Sequence, residues 1–126
     1  EAQIIIASDV NNPLTGVNGA AKIYSKQKGA SENQIIELEK KSIYFSSLIK
    51  KFNSKEITKI RGGGAAGGTA AGLYGLLNSK IKNGFDILKK ISNLEKIIKE
   101  SNLVITGEGR FDNQSLNGKL PIRMQK

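Results

Sequence analysis

The sequence predicts an α/β fold, with a layered sheet and helices. Three observations carry that prediction. Short β-branched runs stand at residues 4–7 and 103–105, helical spacing fills much of the interval between them, and each run ends in a loop rich in Gly, Asp and Asn.

Ile4-Ile5-Ile6-Ala7 closes on Ser8-Asp9-Val10-Asn11-Asn12-Pro13, a cluster of turn formers, and reads as a buried strand entering a loop. Residues 11–30 are punctuated by Gly16, Gly19 and Gly29 and read mostly as loop, with a short helix or strand at 20–24. Ser31 opens the clearest helix. Ser31-Glu32-Asn33-Gln34 has the spacing in which each end residue satisfies the other's unpaired backbone N–H. Ile35, Leu38, Phe45, Leu48, Ile49 and Phe52 then recur near helical spacing and predict an apolar stripe beside a Lys/Glu face.

Residues 57–60 form a short strand or simply approach the glycine-rich segment, which runs from Gly62-Gly63-Gly64 into a small-residue helix ending near Leu77. A second helical region covers 85–91, and Ser92-Asn93-Leu94-Glu95 repeats the capping spacing before Ile97 and Ile98. Leu103-Val104-Ile105 is the second buried strand, ending in Thr106-Gly107-Glu108-Gly109-Arg110-Phe111-Asp112.

Composition narrows the chemistry. At 126 residues, 38% hydrophobic and 25% charged, the chain is an ordinary globular sequence with length for one domain. It has no histidine and no cysteine, which excludes Ser-His-Asp and Cys-His catalysis, zinc sites built on those ligands, and a disulfide framework. The net charge of +9 invites a nucleic-acid reading, but all the basic residues except Arg61, Arg110 and Arg123 are Lys, scattered along the chain without an aromatic platform. A solvated Lys-rich surface is expected, with no nucleic-acid or membrane partner. No apolar run approaches the roughly 20 residues that span a bilayer, so a soluble cytoplasmic protein is expected.

Three loops can carry chemistry. In the first, Asp9 can hold Mg2+ or accept a proton, and Lys28 can neutralise a phosphate; the alternative is an Asx-turn and a surface lysine. In the second, the N–H groups of Gly62-Gly63-Gly64-Ala65-Ala66-Gly67-Gly68-Thr69 can cradle an anion at the start of a helix, or the small residues serve tight packing. It lacks the Gly-Lys-Ser/Thr ending of a Walker loop. In the third, Glu108 and Asp112 flank Arg110 with Lys119 close behind, a set that can bind Mg2+ and stabilise a transferred phosphoryl group, or form a plain surface ion pair.

At these loops the sequence resembles the glycerate kinase family, bacterial enzymes that phosphorylate D-glycerate with ATP, commonly on the 2-hydroxyl. The likeness lies in Asp9-Val10-Asn11-Asn12-Pro13-Leu14-Thr15-Gly16 with Gly19-Ala20, in Gln27-Lys28-Gly29-Ala30, in Gly64-Ala65-Ala66-Gly67-Gly68, and in Leu103 through Ser115 with Gly118-Lys119-Leu120-Pro121. The chain departs from the family pattern at Lys26 and at Arg61, where a Pro is usual, and at Arg123-Met124-Gln125 in place of Gly-Val-Ala. The family's N-terminal acidic, glycine-rich loop and its last α/β stretch have no counterpart, and both ends look cut. An interior piece of a two-domain kinase, inactive by itself, is therefore expected.

The resemblance implies a Rossmann-like domain interrupted by a second α/β domain, with 1–101 part of the inserted domain and 102–126 the strand and loop returning to the first. It implies Asp9, Glu108, Arg110 and Asp112 as catalytic residues, with Asp9, Glu108 and Asp112 on the metal. It further implies Asn11, Lys28 and Lys119 on substrate, and Gly64, Gly67, Gly68 and Thr69 on the phosphates of ATP, with Mg2+ as the ion. The competing reading is a non-enzymatic anion-binding or regulatory module that kept these loops.

Overall fold

The computed structural model describes residues 2–105 and 107. They are mixed α/β, with a small parallel sheet and helices. The chain divides into two compact units, Glu1–Gly84 and Phe85–Lys126.

In the first unit, strand β1 (Ile5–Ser8) pairs in parallel with strand β2 (Lys80–Asn83), in the register Ile5 to Lys80 through Ser8 to Asn83. Parallel strands need a long crossover. Here it comprises helix α1 (Ala20–Tyr24), a 3-10 turn at Lys26–Lys28, helix α2 (Glu32–Asn53), a 3-10 turn at Ala65–Gly68 and helix α3 (Thr69–Leu77). The start of α2 is as the sequence predicts: the Ser31 Oγ accepts from the Gln34 N–H and the Gln34 side chain accepts from the Ser31 N–H.

The core is Leu14, Ile49, Ile57 and Ala71, with Ile60 and Tyr74 packed against it. Small residues let α3 approach α2 closely. A Cβ at Gly75 would lie 2.7 Å from Ile49 Cγ2, and one at Gly72 would lie 3.5 Å from the Phe45 ring. Beyond α2, Lys55 fastens the end of α3: its Nζ donates to the Tyr74 carbonyl and to Asn78 Oδ1, and it stands 4.9 Å from the centre of the Tyr74 ring.

Several expectations are corrected. β1 is not buried: Ile5 is 45% exposed and only Ser8 is covered, because a single neighbouring strand flanks it among the described residues. On α2 only Ile35 and Ile49 of the apolar stripe are buried, while Leu38, Phe45, Leu48 and Phe52 face outward. Residues 57–60 are a turn rather than a strand, yet Ile57 anchors the core. β2 was not expected at all.

In the second unit, helices α4 (Gly84–Ile91) and α5 (Leu94–Glu100) follow one another, α4 beginning at the last residue of the first unit. The second capping box does not form. Ser92 Oγ donates instead to the Leu88 carbonyl and finishes α4, and Asn93 precedes α5 in a left-handed conformation that aims no side-chain oxygen at the helix. Residues 103–105 are not a buried strand: they have no regular structure, and Leu103 and Ile105 are 77% and 87% exposed. An apolar run needs a ladder neighbour to become a strand, and none pairs with it among the described residues. No described helix is long and apolar enough to cross a membrane.

Candidate active site

The candidate site forms where the two parallel strands end, the edge at which open α/β sheets bind ligands. Ser8 and Asn83 close the register, so Asp9 and Gly84 leave the sheet together. The Asp9 carboxylate lies against Gly84: a Cβ there would sit 2.9 Å from Oδ2 and 3.2 Å from Oδ1.

Asp9 lines a pocket of about 360 Å³ together with Tyr24, Gln27, Lys28 and Ala65-Ala66-Gly67. Lys28 reaches it from the 3-10 turn that Gly29 ends at a φ of +86°, a left-handed conformation suited to glycine. One anion and one cation thus share the walls of one pocket.

The glycine-rich segment is pressed onto the exit of β1. The Gly64 N–H donates to the Asn12 carbonyl at 2.8 Å, and a Cβ at Gly64 would fall 2.5 Å from the Pro13 oxygen. Ala66, Gly67 and Gly68 then run through left-handed conformations before α3 begins. Gly68 is packed on Leu14, and the Thr69 hydroxyl donates to the Ala66 carbonyl. Gly67 has nothing within 4 Å of its Cβ position and is the glycine of the predicted set that borders the pocket.

Three side-chain bonds hold the loop after Asp9. Arg61 Nε donates to Asn11 Oδ1 at 2.8 Å. The Tyr24 hydroxyl donates to Asn12 Oδ1 at 2.6 Å, and Asn12 Nδ2 donates to the Asn18 carbonyl. Burial pushes the Tyr24 phenol above its ordinary pKa, which keeps it a donor.

Of the predicted site residues, Asp9, Lys28 and Gly67 come together in the pocket. Asn11 is tied to Arg61 and is not among the pocket walls, Gly64 is engaged with Asn12, and Gly68 and Thr69 border an apolar groove between α2 and α3. Glu108, Arg110, Asp112 and Lys119 lie outside the described residues. Sequence reasoning did not single out Tyr24, Arg61 or Gly84. The one available signal was Asn83-Gly84, a turn pair immediately before a helical region.

Residues 1–126 match the model of the glycerate kinase family over their whole length. The chain belongs to the glycerate kinase family. It is 46% identical over 119 residues to the glycerate 2-kinase of Escherichia coli K12, a match covering 94% of this chain and 31% of the relative. It is 40% identical over 126 residues to the glycerate kinase of Halalkalibacterium halodurans, covering 100% of this chain and 33% of the relative. Among solved structures, a protein of Salmonella typhimurium LT2 assigned as glycerate kinase 2 superposes with a TM-score of 0.79 at 38% identity, over 98% of this chain and 33% of that one. The chain spans about a third of the length of the curated relatives it matches.

Proposed function

We propose that the protein is a kinase that uses ATP and Mg2+ to phosphorylate a hydroxyl of D-glycerate, giving 2-phosphoglycerate. The observation that carries the reading is the meeting of Asp9, Lys28 and Gly67 in one pocket at the carboxyl ends of the strands, in a glycerate kinase family chain. The 2-hydroxyl is favoured by the name of the Escherichia coli relative.

In this reading Asp9 takes the proton of the attacking hydroxyl, and Lys28 holds the substrate's anionic group. Asn11 orients the substrate. Gly67, in the pocket wall, lets the backbone approach the phosphates, and the resemblance implies the same role for Gly64, Gly68 and Thr69 beside it. Glu108, Arg110, Asp112 and Lys119 flank the transferring group, as the resemblance implies. The Asp9 carboxylate is a hard oxygen donor and fits Mg2+, which takes one or two carboxylates and fills its shell with phosphate and water. When bound, the nucleotide and its Mg2+ supply the phosphoryl group and neutralise charge around it.

The family resemblance and the partial coverage support a two-domain enzyme. In it 1–101 belongs to an inserted α/β domain and 102–126 returns to a Rossmann-like one, with the active site between them and the segment alone inactive. Its nucleotide supply would place it in the cytoplasm, with a small-molecule substrate as its partner.

The test is glycerate-dependent ADP formation by the full-length protein, with Asp9→Asn and Glu108→Gln beside the wild type. Each substitution is expected to lower turnover by about a hundredfold or more. Undiminished turnover in both removes the assigned roles, and no glycerate-dependent turnover in the wild type removes the function.

A further inference from the structure

We propose that Tyr24 is a positioning residue of this pocket, acting through the hydrogen bond from its hydroxyl to Asn12. For what the pocket binds, the proposal rests on the kinase reading; the latch itself rests on geometry alone.

Tyr24 ends α1, a helix of five residues, too short to hold itself in place. Its last residue is tied by the 2.6 Å bond to Asn12 Oδ1, beside the buried Ala20 and Ala21 and the Ser25 N–H on the Ala21 carbonyl. The direction of that bond is determined. Asn12 Nδ2 is spent on the Asn18 carbonyl at 3.0 Å, so Oδ1 has to accept and the phenol has to donate. The Asn12 carbonyl meanwhile accepts the Gly64 N–H. Asn12 therefore joins α1, the turn before it and the glycine-rich segment, in the same loop that carries Asp9.

Tyr24 also lines the pocket with Asp9 and Lys28, so loosening it moves the wall that faces them. A phenylalanine would keep the ring and lose only the latch. The predicted effect falls more on placement of the acceptor substrate than on the nucleotide, because the Gly64 N–H keeps its bond to the Asn12 carbonyl when the phenol is lost.

The experiment uses the full-length protein carrying Tyr24→Phe. Amide exchange of residues 9–12 is expected to quicken about five- to tenfold, the worth of one ordinary hydrogen bond, with residues 94–100 unchanged. KM for D-glycerate is expected to rise by a similar factor, with KM for ATP within about twofold of the wild type. Adding Asn12→Ala should abolish the Tyr24→Phe effect, whereas Asn12→Asp, which keeps an acceptor, should preserve it. If Asn12→Ala does not fold, the Asn12→Asp arm and the exchange measurement decide. Unchanged exchange at 9–12 in folded Tyr24→Phe overturns the proposal, and so does faster exchange with KM for glycerate unmoved. Faster exchange in a protein whose wild type does not phosphorylate glycerate overturns the kinase reading and leaves the latch standing.

Discussion

Arg61 Nε donates to Asn11 Oδ1 across 2.8 Å, joining residues 50 positions apart and tying the entry of the glycine-rich segment to the exit of β1. The backbone agrees with the side chains. A Cβ at Gly62, whose φ is +77°, would lie 3.1 Å from the Val10 carbonyl and 3.2 Å from Ser8 Oγ. Arg61 thus fastens the two segments by a side-chain bond where their backbones already lie in contact.

Arg61→Ala should release Asn11 without unfolding the protein, since the bond is exposed. Under the kinase reading proposed above, the expected result is a loss of about tenfold in kcat/KM for glycerate, with stability changed by less than about 1 kcal/mol. Arg61→Lys should resemble the alanine variant, because an ammonium does not reproduce the directed Nε donor. Steady-state kinetics beside a thermal melt checks both, and unchanged kinetics would show that the Asn11 tether is idle.

Gly84→Ala places a methyl 2.9 Å from Asp9 Oδ2, so the carboxylate has to shift. Alanine is a better helix former than glycine, so stability should hold or rise slightly. Turnover should nevertheless fall by roughly ten- to a hundredfold as Asp9 leaves its place. That split between stability and rate is the signature to measure.

Gly75→Ala should do the opposite. Its methyl meets Ile49 Cγ2 at 2.7 Å, Ile49 Cδ1 at 2.9 Å and Ile57 Cγ2 at 3.2 Å, all in the core. Overpacking of this kind costs about 1–3 kcal/mol, which urea unfolding would read despite the gain in helix propensity. Ile49→Val removes one of the three contacts and should restore part of the loss in a double-mutant cycle.

Glu56 supplies a pH dependence. Its hydrogen bonds from the Thr58 side chain and backbone N–H, and then from Lys50, lower its pKa from 4.5 to about 2. Because the folded value lies below the unfolded one, the stabilisation is present above about pH 4.5 and is lost as pH falls toward about 2. Chemical denaturation across that window should show the loss, and Glu56→Gln should flatten it. The carboxylate is solvent-exposed, so the effect is small and weakens with salt.

α2 was legible because its signals are local: a capping box at Ser31 and Gln34, then a long run without breakers. β1 was legible as a strand, but its burial was not, since that depends on what lies beside it. β2 could not be read from Lys80-Ile81-Lys82-Asn83, which offers one apolar residue in four; it is a strand because β1 supplies a ladder. Leu103-Val104-Ile105 shows the converse, an apolar run without such a neighbour among the described residues. In the site, Asp9, Lys28 and Gly67 were legible as members of loops that can carry chemistry, with an Asx-turn, a surface lysine and tight packing as the alternatives. Tyr24 and Arg61 did not, because a hydrogen bond to a residue 12 or 50 positions away leaves no periodicity to read.

The parallel register from Ile5 to Lys80 has a consequence for assembly of the chain. The strand pair closes only after α1, α2 and α3 have condensed into a compact crossover, because each ladder bond spans the whole interval and repays its loop entropy late. The approach of Asp9 to Gly84 depends on that closure. Loss of ligand binding is therefore expected to precede the melting of α2, which a ligand titration beside far-UV circular dichroism through the unfolding transition would read.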